Sequence, residues 1–175
     1  MPIDEKALEP LRQGMINEIR GKFYYREAAE RTREPRGREM FLSLARDEEG
    51  HLHILEQQYL SVSRRGEWLA LEAARAGDLP APRLNLFPES AAKGLLSPSS
   101  SDEQALEMAL AMEKRGYDLY KGAMDATSDP AEKAMYRFLT QEESRHYALL
   151  DQTLNYLKDK GFWYFQDEEK PIFDQ

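Results

Sequence analysis

The chain has 175 residues, 41% hydrophobic and 32% charged, with a formal net charge of -8 and no cysteine. That length suits one well-buried domain, and plentiful Ala, Leu and Glu beside scarce Val favour a soluble helical protein over a sheet. The acidic balance argues against nucleic acid and anionic membrane as main partners, and the lack of cysteine excludes disulfides, zinc–thiolate sites and iron–sulfur centres.

From about Asp4 to Arg31, Leu8, Leu11, Met15, Glu18, Tyr25 and Ala29 form a helical stripe flanked by Ile16, Ile19 and Phe23. Pro10 either separates a first turn or marks the helix start. Thr32 to Gly37, with Pro35 inside, reads as a turn. A second stripe of Phe41, Leu44, Glu48, His51, Leu55 and Tyr59 completes a hairpin over about residues 4–60. The periodicity weakens over 61–101, where Glu67 to Arg75 suits a short helix and Pro80, Pro82, Pro88 and Pro98 exclude a long one. So long a loop is expected to have a task, here crossing the length of a bundle.

Ser100 or Ser101, with Glu103 or Gln104, makes an N-cap for a third helix carrying Leu106, Leu110, Glu113, Tyr117, Tyr120 and Met124. Asp129-Pro130 opens a fourth, with Tyr136, Leu139, Glu143, His146, Leu150, Leu154 and Leu157 on one face and Gly161 at its end. The second hairpin thus covers about 102–160. The tail, 161–175, holds Phe162, Trp163, Tyr164 and Phe165 and is expected to pack on its own bundle. Met15, Met40, Met108, Met112, Met124 and Met135 fall on helix faces as core, so no haem-binding methionine is assigned.

The hairpins repeat each other at an offset of 95 residues without a gap. Glu18, Gly21, Tyr25, Thr32, Pro35, Met40, Leu44, Glu48, His51 and Leu55 match Glu113, Gly116, Tyr120, Thr127, Pro130, Met135, Leu139, Glu143, His146 and Leu150. This is a duplicated two-helix unit. In Glu48-x-x-His51 and Glu143-x-x-His146 a carboxylate and an imidazole share one helix face, one turn apart. About Glu34 as turn centre, Glu18 lies 16 residues before and Glu48 and His51 lie 14 and 17 after, so Glu18 faces that pair. By the repeat, Glu113 faces Glu143 and His146. Packing hairpin on hairpin brings four carboxylates and two imidazoles to one level of the core.

Four buried carboxylates repel one another and each carries a desolvation cost, which two divalent metal ions would offset. Oxygen and nitrogen donors without thiolate suit iron or manganese, with zinc also open. Chance alone would pair two histidines with Glu at both spacings on the order of one time in a thousand. His53 lies off the stripe and reads as a surface residue. Tyr25 and Tyr120 read either as core tyrosines or as hydrogen-bond donors to a ligand carboxylate, with a redox-active phenol included. Asp47 and Glu142 are placed to accept the free N–H of a ligand histidine on the neighbouring helix, or else are solvated.

One Glu from each of two helices plus Glu-x-x-His from the other two is the pattern of ferritin-like di-iron bundles. The first half carries Glu18-x-x-Gly21-x-Phe23-x-Tyr25, Pro35-Arg36-Gly37-x-Glu39-Met40-Phe41 and Asp47-Glu48-Glu49-x-His51. The second carries Glu113-x-x-Gly116-x-x-x-Tyr120 and Glu142-Glu143-x-x-His146. Outside 61–101 and the tail, the chain resembles the rubrerythrin branch of that superfamily. The resemblance implies an all-α, ferritin-like four-helix bundle of two hairpins joined by a long crossover. It also implies Glu18 and Glu113 as terminal ligands, Glu48 and Glu143 as bridges, and His51 and His146 as one ligand to each ion. Members react with peroxide or dioxygen as peroxidases, ferroxidases or oxidases, here with an external electron donor because no rubredoxin-like domain is present. Gly116 stands where rubrerythrins carry an extra Glu, which brings the set closer to the six-ligand site of bacterioferritins. Iron storage in a hollow shell and a non-catalytic metal-binding bundle are the alternatives. A homodimer is expected, with hairpin exchange also open. No apolar run reaches membrane-spanning length, and Met1 to Lys6 lacks signal-peptide character, so a cytoplasmic location is expected.

Overall fold

The computed structural model describes residues 5–80, 94–97 and 99–163. Its helices are α1 (Glu5–Arg31), α2 (Pro35–Arg65), α3 (Leu71–Arg75), α4 (Asp102–Ala126) and α5 (Pro130–Lys160), with no strand among the described residues. Each boundary has a local cause. Glu34 caps α2 by accepting the Gly37 N–H, with Pro35 at the first helical position where a missing donor costs nothing. Gly37 therefore belongs to α2, and the turn is confined to 32–34. In the matching turn Asp129 Oδ1 accepts from Ala131 and Glu132 at 2.8 and 2.9 Å. Ser101 and Gln104 bond reciprocally at the start of α4. Gly66 and Gly161 end α2 and α5 with φ of 70° and 75°, a left-handed conformation that glycine adopts without a Cβ clash. Pro10 lies inside α1, which continues through it near its N-terminal end.

α1 packs along α2 and α4 along α5, and the two hairpins meet through α1 and α4, giving the helical bundle. The apolar core falls into two clusters. One gathers Tyr25, Phe41, Leu44, Leu106, Leu154 and Trp163; the other gathers Leu11, Met15, Leu55, Tyr120, Tyr136 and Leu139. The polar residues of the stripes lie between them in sequence on all four long helices.

The crossover is tied to α2 by two glutamines. The Gln58 amide donates to Leu69 O at 2.8 Å and accepts from Leu69 N at 2.9 Å, and Gln57 does the same to Leu79 at 2.9 and 3.2 Å. Both glutamine side chains are buried, so this pairing satisfies groups that would otherwise be costly. Among the described residues, no helix is long and apolar enough to cross a membrane.

Of the methionines expected in the core, Met15, Met40 and Met135 are buried and Met112 and Met124 pack against it. Met108 does not belong with them: it is 41% exposed, two residues from the inward-facing Leu106 and hence on the far side of α4. Trp163 packs on the bundle, whereas Phe162 is exposed, and Tyr164 and Phe165 lie outside the described residues.

Candidate metal centre

Glu18 of α1, Glu48 and His51 of α2, Glu113 of α4, and Glu143 and His146 of α5 converge in the core, none more than 4% exposed. Their donor atoms form two overlapping groups, each with all atoms within 4.8 Å of one another. The first is Glu18, Glu48, His51 and Glu143; the second is Glu48, Glu113, Glu143 and His146. Glu48 and Glu143 belong to both. Within the groups, His51 Nδ1 lies 3.4 Å from Glu18 Oε2 and 3.9 Å from Glu143 Oε1. His146 Nδ1 lies 3.4 Å from both Glu48 Oε1 and Glu113 Oε2. The two imidazoles stand 5.7 Å apart.

One atom of each of these six side chains is buried without a hydrogen bond among the described residues: Glu18 Oε2, Glu48 Oε1, His51 Nδ1, Glu113 Oε2, Glu143 Oε1 and His146 Nδ1. Proteins seldom leave even one such atom unpaired, since each costs about 1–3 kcal/mol. Six converging ones fit a pair of metal ions. Four of the remaining atoms face polar neighbours. Tyr120 Oη donates to Glu18 Oε1 and Tyr25 Oη donates to Glu113 Oε1, so each phenol comes from the opposite hairpin. Asp47 Oδ2 lies 3.3 Å from His146 Nε2, and Glu142 Oε2 lies 3.8 Å from His51 Nε2. Glu142 is held in turn by Arg145. His53 is half-buried and joins neither group.

The electrostatics reflect this crowding. Burial, reinforced by Glu18 and Glu113, pushes the Glu48 carboxyl well above the usual range, and burial with the other three carboxylates does the same to Glu143. Burial would raise Glu18 too, but its contacts with Glu48, His51 and Tyr120 outweigh it and the net direction is down. Burial opposes charging of His51, yet Glu142 and Glu18 carry it up to about 9; Asp47 and Glu113 carry His146 up to about 10. The Glu142 carboxyl, facing His51 and held by Arg145, falls to about 2. Without a cation the cluster holds protons in place of metal.

The rubrerythrin family model matches residues 9–154, which span both hairpins and every donor above. The chain belongs to the rubrerythrin family. A hypothetical protein from Pyrococcus furiosus has a similar fold, with a TM-score of 0.65, 20% identity, and coverage of 91% of this chain and 94% of that one. No curated protein matches. In this rubrerythrin-family chain the buried Glu/His cluster is compatible with a di-metal carboxylate site.

Two residues of the centre carry no donor atom and escape a search for ligands. A Cβ at Gly21 would lie 2.9 Å from Glu48 Oε2, and one at Gly116 would overlap Glu143 Oε2 and lie 2.9 Å from its Cδ. Both glycines thus make room for the two carboxylates common to both donor groups. Their position one turn after Glu18 and Glu113, on the same face, is the sequence feature that points to them. At Gly116 the space that a side chain would take is filled by the Glu143 carboxylate.

Proposed function

We propose that this chain binds two divalent metal ions, iron foremost with manganese or zinc able to occupy the same donors, and reduces peroxide or dioxygen with electrons from an external donor. The observation that carries this reading is the set of six unpaired buried donor atoms arranged in two groups that share Glu48 and Glu143. Glu18 and His51 would hold one ion, Glu113 and His146 the other, and Glu48 and Glu143 would contact both. Bound iron would supply the electrons for peroxide or dioxygen reduction. The protein supplies geometry. Tyr25 and Tyr120 each engage one carboxylate oxygen and leave the other free to coordinate. Asp47 accepts from the outer nitrogen of His146 and Glu142 lies 3.8 Å from that of His51, which favours a proton on each Nε2 and leaves the Nδ1 lone pairs pointed inward. The apolar clusters keep water out.

Anaerobic titration with Fe(II) tests the reading. About two ions per chain should bind, adding peroxide should change the absorbance as iron is oxidised, and Glu48→Ala should abolish both effects. Failure to bind, or binding untouched by Glu48→Ala, would sink it. Oxidation of iron as a substrate for storage is a second reading, favoured by the symmetric donor set that Gly116 permits. It requires a large hollow assembly, so a small oligomer by size measurement refutes it.

A further inference from the structure

Each core cluster contains a file of three aromatic rings that begins beside the metal centre and ends at a tryptophan. In the first, Tyr25 stacks on Phe41 with centroids 6.1 Å apart, and Phe41 meets Trp163 edge-on at 6.2 Å. In the second, Tyr120 stacks on Tyr136 at 6.1 Å, and Tyr136 meets Trp68 in a tilted edge contact at 6.2 Å. Tyr25 and Tyr120, Phe41 and Tyr136, and Trp68 and Trp163 are each 95 residues apart, so the files are copies. Their ends are exchanged. The first hairpin supplies two rings of the first file, and the residue that follows the second hairpin supplies its tryptophan; the second file is built the other way round. The chain has 2 tryptophans, and both are used here.

Core packing alone asks for apolar rings, whereas both files start and end on oxidisable ones. The leading phenols also have proton acceptors in place, Tyr120 on Glu18 Oε1 and Tyr25 on Glu113 Oε1. At the far end of the first file, Trp163 Nε1 donates to Asp102 Oδ2 at 2.9 Å. Trp68 is half-buried, within reach of the surface. The middle rings differ in chemistry but not in place. Phe41 has no ionisable group, and among the described residues the buried Tyr136 hydroxyl has no hydrogen-bond partner to take its proton. Both are therefore bridges and not stopping points.

We infer that the two files are electron relays, each passing single electrons from its terminal tryptophan to the tyrosine that touches a metal-ligand carboxylate. The inference rests on the redox reading of the centre, in which peroxide or dioxygen is the oxidant and an external one-electron donor the reductant. In the second file Tyr120 gives one electron inward and its proton to Glu18 Oε1. Trp68 then passes one electron across Tyr136 to the Tyr120 phenoxyl, which recovers the proton from Glu18. The indole N–H proton of Trp68 goes to solvent, and the donor's electron with a proton from water restores it. The net change is one electron moved from donor to centre, with every side chain returned to its starting state.

Pulse radiolysis of the full chain in its metal-free form tests the relay without metal redox chemistry. Azide radicals oxidise tryptophan, and the indolyl absorbance should decay as phenoxyl absorbance rises, with one first-order rate independent of protein concentration. The combined Tyr25→Phe and Tyr120→Phe variant keeps both rings and should lose that rise. Trp68→Phe and Trp163→Phe should each lower the phenoxyl yield, and together abolish it. They decide the question by themselves should circular dichroism show the double tyrosine variant to be unfolded. No concerted rise in the parent chain, or an undiminished rise in these variants, overturns the relay. Because no metal takes part, the outcome holds whether or not the iron-loaded protein reduces peroxide.

Discussion

Replacing Gly116 by alanine adds one methyl group where α4 runs against the carboxylate of Glu143. The new Cβ would overlap Oε2 and lie 2.9 Å from Cδ, so the carboxylate has to move. Glu143 can turn aside at an off-rotamer cost of about 0.5–1.5 kcal/mol, while Gly→Ala within a helix returns roughly 0.5–1 kcal/mol. In the metal-free protein the two nearly cancel, and the melting temperature should stay within about 2–4 °C of the parent. The metal-loaded protein has no such escape, because Glu143 belongs to both donor groups and turning its carboxylate away from the new Cβ also shifts Oε1. Metal affinity should fall about 10–100-fold, which is about 1.4–2.7 kcal/mol. Gly21→Ala meets Glu48 Oε2 at 2.9 Å and should show a milder loss. Gly50→Ala and Gly122→Ala have nothing within 4 Å of the added Cβ, and should bind metal as the parent does. Calorimetric titration with Mn(II) or anaerobic Fe(II), paired with thermal melts, reads both quantities. Parent-like affinity in Gly116→Ala would refute the premise that the Glu143 conformation filling this space is the metal-binding one.

Four further outcomes are expected. The metal-free protein should melt lower as pH rises from about 7 to about 10, because groups raised on folding, His51 to about 9 and His146 to about 10, stabilise it below their ordinary values and lose that contribution as they deprotonate. The metal-loaded protein, with its ligands already deprotonated, should not follow; parallel melts with and without chelator decide it. Glu18→Ala removes a donor from one group only and should leave about one tightly held ion per chain by elemental analysis, whereas Glu48→Ala should deplete both. Gln58→Ala strands Leu69 N and O and should cost about 1–3 kcal/mol, visible as a lower melting temperature and faster proteolysis near Leu69. Tyr136→Phe removes a buried hydroxyl that makes no hydrogen bond among the described residues, so it should leave stability unchanged or raise it by up to about 1–3 kcal/mol, and it should leave the relay rate intact.

The helices were legible because their ends are marked by local chemistry. Ser101 with Gln104, Asp129-Pro130 and Gly161 act through bonds a few residues long, which neighbours in the chain suffice to specify, whereas α2 starts at Pro35 inside the expected turn and runs to Arg65, past the expected hairpin end near 60. The error at Met108 has the opposite origin. A methionine suits a core face and a wet face alike, and which side of α4 is covered depends on where the other helices lie.

The sequence by itself determined the duplication, and through it the six donor residues, because helical periodicity and a 95-residue offset are properties of the chain alone. It also placed Glu18 opposite Glu48 and His51, since a hairpin relates positions by their distance from its turn. How the hairpins meet is decided by side-chain packing at angles no spacing encodes. Only that packing sends the Tyr25 hydroxyl to Glu113 and the Tyr120 hydroxyl to Glu18, each across the bundle and not to the glutamate of its own helix. It also seats Trp163 on Phe41 and Trp68 on Tyr136, and presses the carboxylates of Glu48 and Glu143 into the space left by Gly21 and Gly116. Covalent order names the six Glu and His side chains; close packing orients them and decides which groups stand around them.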